Sequence, residues 1–111
     1  MDARAAFNDA AIAAVQGEIV RLRTELSYPQ ACELPETDVR DIVVAGREVQ
    51  LTTFRQRVPS SASGEILVVV QVARFGLGGI VSYQIERGLI FSPSAPPRDA
   101  TGPELTGSPA R

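Results

Sequence analysis

Hydrophobic positions recur along the first quarter of the chain with the period of an α-helix. Phe7, Ala11, Val15, Ile19, Leu22 and Leu26 follow one another at intervals of three or four residues, which sets them on one face and predicts a helix over residues 3–27. Ala5, Ala6, Ala10, Ala13 and Ala14 add intrinsic propensity. Asp2 is placed to cap the N-terminus, and Arg21 and Glu25 stand one turn apart on the wet side. Pro29 restricts Tyr28 and marks the end. Gly17 weakens the middle by roughly 1 kcal/mol relative to alanine and reads as a point of close approach to a sheet.

Residues 29–39 are polar and contain Pro29 and Pro35, as expected of a connection. Beyond residue 39 the period changes to two. The alternation predicts four strands, 40–45, 48–58, 64–75 and 80–92, joined at Ala45-Gly46-Arg47, at Pro59–Ser63 and at Gly76–Gly79. Gly46 is expected to supply a positive φ. Connections this short make the sheet an antiparallel meander. The predicted fold class is therefore α+β: one N-terminal helix on a four-stranded antiparallel sheet, a single domain over 1–92. A flexible tail rich in Pro, Ser and Gly is expected over 93–111. Within it, Thr101-Gly-Pro-Glu104 has the form of a capping box, which would start one helical turn.

The strands can be set in register by charge and apolar matching. Val58 opposite Gly64 brings Arg57 to Glu65 and Glu48 to Arg74. Phe75 opposite Ile80 aligns Val72 with Tyr83, Val70 with Ile85 and Ile66 with Leu89. One face then collects Phe54, Ile66, Val68, Val70, Val72, Val81, Tyr83, Ile85 and Leu89 as the seat of the helix, with Arg87, opposite Val68, the misfit. The second face carries Gln71, Gln84, Glu86 and Arg55. It also carries Ile42, Val44, Val49, Leu51, Leu67 and Val69, an aliphatic patch on the order of several hundred Å² if left in water. Three arrangements would cover it: a partner or second copy, a bulge at Thr52-Thr53 that rotates part of strand two inward, or a C-terminal segment folded back. Docking of a partner is the leading expectation, with Arg55 on its rim.

Composition narrows the chemistry. A chain of 111 residues with 44% hydrophobic and 22% charged residues fits one ordinary domain, and a net charge of −2 argues against a nucleic-acid partner. There is no histidine, no lysine and a single cysteine, Cys32. Histidine acid–base catalysis, Schiff-base chemistry, an internal disulfide and multi-cysteine zinc sites are all excluded. No run approaches the roughly 18 apolar residues of a membrane span. Asp2, Asn8 and Asp9 break the N-terminal apolar run that a signal peptide needs, so the expectation is a cytoplasmic chain. Gly76-Leu-Gly-Gly79 is followed by strand-like alternation, so it reads as a turn and not a phosphate loop. Cys32 is followed by Glu33, which disfavours a reactive thiolate. Asp41, Glu48, Glu65 and Glu86 show no pairing that would tune them. No catalytic constellation, metal site or cofactor motif is found.

A helix followed by an antiparallel meander resembles the outline of cystatin-like and several small immunity or adaptor domains. The likeness is one of architecture, and architecture does not fix function. The central Q-x-V-x-G loop of cystatins is absent from the 59–63 turn. The functional expectation is a small non-enzymatic interaction module, homodimeric or bound to another protein through the second sheet face, as an immunity, adaptor or assembly component. The alternative is a small-anion-binding or isomerase-like domain whose pocket lies between helix and sheet at Tyr83 and Arg87. An arginine on that face otherwise reaches solvent along its stem or pairs with Glu18 or Glu25.

Overall fold

A computed structural model of the chain describes residues 2–58 and 64–106. Helix α1 spans Ala3–Glu25, and the Asp2 carboxylate accepts the Arg4 backbone N–H at 3.0 Å as its N-cap. Phe7, Ala11, Val15, Ile19 and Leu22 form its buried stripe, joined by Glu18. After two intervening residues, the short helix α2 (Tyr28–Cys32) occupies part of the expected connection. Ser27 and Gln30 close a reciprocal capping box there, and Pro29 sits in the first turn, where a missing N–H leaves nothing unpaired. The Tyr28 hydroxyl donates to the Gly64 carbonyl at 2.7 Å and so ties α2 to the sheet.

The sheet has five antiparallel strands in the order β1-β2-β3-β4-β5: β1 Thr37–Val44, β2 Arg47–Arg57, β3 Ile66–Phe75, β4 Val81–Ser92 and β5 Ala95–Asp99. The first hairpin turns through Ala45 and Gly46, at φ 50° and 76°. The Pro59–Ser63 connection lies outside the described residues.

The β2–β3 ladder pairs Arg57 with Ile66 and Phe54 with Val69, one residue away from the charge-matched register. One residue is enough to exchange the two faces of β2. Val49 and Leu51 turn toward α1, beside Val72, and Phe54 turns away from it. The magnitudes explain the outcome. A cross-strand charge pair is worth about 0.2–1 kcal/mol, whereas burying each of Val49 and Leu51 is worth about 1.5–3 kcal/mol. The ladder runs unbroken through Thr52 and Thr53, so no bulge is present there.

The β3–β4 ladder is displaced by two residues from expectation, Val72 pairing with Ile85 and Ile66 with Phe91, which preserves the faces. Arg87 accordingly lies opposite Val70, not Val68. A register shift after Arg74 then makes Val81 the partner of Phe75 and leaves it 45% exposed, instead of under the helix.

The main core lies between α1 and the sheet. It holds the helix stripe, Ala31, and Val44, Val49, Leu51, Ile66, Val68, Val70, Val72, Leu89 and Phe91. A second, smaller core lies on the opposite face and contains Leu67, Val69 and Ile90, with Phe54, Val58, Ala100 and Leu105 against them. Its cover is the C-terminal segment. Strand β5 pairs along β4, and helix α3 (Gly102–Thr106) follows, started by the Thr101/Glu104 capping box. The expected tail is thus ordered through residue 106, and residues 107–111 lie outside the described region. Pro96 and Pro97 are tolerated because β5 is an edge strand with few ladder positions. An ion pair from Arg23 on α1 to Asp99 on β5 links the C-terminal arm to the helix layer.

Candidate functional site

The corrected register redistributes the residues expected to form an interface. Ile42, Val44, Val49 and Leu51 pack in the α1 core and are unavailable to a partner on the second face. Arg55 belongs to the helix side of β2, and its Nε donates to the Leu34 carbonyl at 2.6 Å, pinning the segment between α2 and β1. Leu67 and Val69 do lie on the second face, but each is only 4% exposed beneath the C-terminal arm. Of the three ways to cover that face, the chain uses its own C-terminus.

The arm covers one end of the sheet only. At the other end, where the β3–β4 hairpin projects, large apolar side chains remain in water. Leu77 is 97% exposed and Ile80 72%, while Phe75 and its partner Val81 are each 45% exposed. Val43, near the hairpin end of β1, is 68% exposed. The hairpin tip turns through a short 3₁₀ segment, Leu77–Gly79, in which Gly78 and Gly79 take φ of 75° and 77°. Those conformations favour glycine. They present Leu77 and Ile80 at the extremity, without helical or sheet neighbours to bury them. Residues 75–82 carry no ionisable side chain. The sequence reading missed this surface because it assigned Val81 to the helix face and treated the glycine-rich turn as a connection.

Between the two ends, the second face is polar. A shallow depression of about 650 Å³ is lined there by Phe54, Gln71, Gln84 and Glu86 among others. Free edge β1 carries Asp38, Arg40 and Asp41, charges of the kind that discourage edge-to-edge pairing.

Tyr83 and Arg87 are not brought together as a pocket. The Tyr83 hydroxyl donates to Asn8 Oδ1 at 2.7 Å, and its ring meets Phe7 edge-on at 5.0 Å between centroids. Partial burial raises the phenol above its usual range, while the positive field of Arg87 acts weakly the other way. Arg87 itself is exposed and donates to the Glu86 carbonyl at 2.8 Å, the solvent-reaching arrangement. The expected partner Glu18 instead holds Arg21 at 2.6 Å and Arg40 at 3.0 Å. The hydrogen bond from Arg21 is the main cause holding the Glu18 carboxyl below its usual range, against the opposing effect of burial. This cluster fastens β1 to α1 and leaves no free carboxylate. Among the described residues no group of His, Cys, Asp and Glu side chains is arranged to hold a metal ion. Among the described residues no helix is long and apolar enough to cross a membrane.

No family model, curated protein or solved structure matches this chain.

Proposed function

We propose that the chain is a small non-enzymatic interaction module that associates with a second copy of itself through the apolar hairpin end of the sheet. The carrying observation is the cluster of Phe75, Leu77, Ile80 and Val81, all left exposed on one hairpin. Large apolar side chains gathered in the open on one hairpin mark contact sites. A second copy suits it because residues 75–82 are uncharged. Two identical patches meet across a two-fold axis with no ionisable side chain of residues 75–82 in the contact itself.

A few exposed side chains provide an area at the small end of specific interfaces, so the association is of the weak, transient class. The Leu77→Asp/Ile80→Asp double variant tests the proposal by light scattering over rising concentration. Both side chains are exposed, so the variant keeps the fold while placing charges at the contact. Wild type should gain mass with concentration and the variant should not. Equal monomer masses throughout would remove the proposal.

A further inference from the structure

Four arginines, Arg21, Arg23, Arg40 and Arg98, are engaged by carboxylates. Three others converge at the opposite end of α1. Arg4 from the first turn of α1, Arg47 from the start of β2 and Arg74 from the end of β3 line one cleft of about 840 Å³, together with Phe7, Asn8 and Tyr83. The guanidinium carbons of Arg47 and Arg74 lie 5.8 and 6.0 Å from the Phe7 ring centroid. Both cations therefore border the same ring, each at cation–π range. Among the described residues, none of the three has a carboxylate within 4.0 Å of its guanidinium. Asp2 also lines the cleft and brings one negative charge against the three arginines; its Oδ1 accepts the Arg4 backbone N–H as the helix cap. Tyr83 directs its proton to Asn8 Oδ1, which leaves the Asn8 amide hydrogens as further donors.

We propose that this cleft binds a compact oxyanion of the phosphate class carrying two or more negative charges. Three planar guanidinium forks offer paired N–H donors matched to tetrahedral oxyanions. Three cations against the single Asp2 carboxylate leave a positive excess in the cleft, which such a ligand would offset. Phe7 already carries two arginines, so the recognised moiety is the anion and no aromatic group is required of the ligand. The site adjoins the hairpin surface but uses none of its apolar side chains, and it replaces Arg87 with Arg74, the direct cross-strand partner of Tyr83.

Titration calorimetry with sodium pyrophosphate, against sodium chloride at matched ionic strength, tests it. Wild type should bind pyrophosphate and not chloride. Arg47→Gln/Arg74→Gln should weaken binding by at least roughly tenfold, the scale of one charge-assisted hydrogen bond. Because Arg47 and Arg74 shield Phe7, the exposed Arg4→Gln serves as a second variant that disturbs no packing, with several-fold weakening expected. Arg87→Gln should bind as wild type does. Undiminished binding by the Arg47/Arg74 and Arg4 variants, equal weakening by Arg87→Gln, or no binding by wild type at millimolar pyrophosphate would each overturn the assignment. Citrate binding tighter than pyrophosphate would overturn the phosphate class.

Discussion

Gly88 is the point where closure of the second sheet face by the C-terminal arm is most exposed to test. It sits in β4 opposite Val69, and its carbonyl accepts the Ala100 N–H at 2.8 Å. A Cβ added there would lie 2.8 Å from Leu105 Cδ2 and 3.2 Å from both the Ala100 Cβ and Leu67 Cδ1. The backbone of Gly88 is not in the left-handed region, so alanine meets no conformational barrier, and restricting the unfolded chain contributes about 0.4–1 kcal/mol in its favour. Overpacking works against it by about 1–3 kcal/mol. Gly88→Ala should therefore destabilise by about 1 kcal/mol, a fall in Tm of roughly 4–8 °C for a domain of this size. Leu105→Ala, which removes the closest neighbour, should cost about 2 kcal/mol by leaving the small core underfilled. In the double variant the new methyl group occupies part of that space, so the two effects should fall short of additivity by roughly 1 kcal/mol. Urea denaturation followed by circular dichroism gives the stabilities, and amide exchange at Ala100 reports the docking of the arm. A neutral or stabilising Gly88→Ala, unchanged Ala100 exchange and strict additivity with Leu105→Ala would refute the packing of the arm over Gly88.

Other consequences follow from single positions. An added Cβ at Gly17 meets nothing within 4 Å, so this glycine serves no close approach, and Gly17→Ala should raise stability by about 0.5–1 kcal/mol in a thermal melt. Ala45 holds φ 50° in the first hairpin, and Ala45→Gly should relieve about 1 kcal/mol of strain, read in the same way. Glu104 has its carboxyl lowered from 4.5 to about 2, first by the Arg98 side chain and then by the Thr101 N–H. A depressed folded-state value means that this support is fully present above about pH 5 and is lost as pH falls toward 2. The Ala100 and Leu105 amide resonances should therefore report loosening of the arm within that window, and Arg98→Gln should move its midpoint upward.

The parts of the fold legible in the sequence were those set by local chemistry. The α1 stripe, the Asp2 cap and the Gly46 turn each depend on residues near one another. So does the Thr101/Glu104 box, although it was read inside a tail. The β2–β3 register was not local. Both registers give alternating strands, and the choice between them rests on which apolar residues α1 can cover, a tertiary fact. Strand β5 was hidden for a different reason. Pro96 and Pro97 mark disorder in most contexts and are compatible with pairing only at a sheet edge. The arginine cleft was hidden by the same slip: the expected register set Glu48 opposite Arg74 as its ion-pair partner, whereas the observed one brings Arg47 onto the helix face with Arg74. The hairpin surface was missed because the shift after Arg74 moves Val81, which no alternation pattern reports.

Self-association through the hairpin end is measured most directly by multi-angle light scattering of wild type and of Leu77→Asp/Ile80→Asp across a concentration series. The expected result is a wild-type mass that climbs from monomer toward dimer while the variant, unchanged in its circular dichroism, stays monomeric. A wild type that remains monomeric at every concentration, or a variant that dimerises equally well, would contradict it.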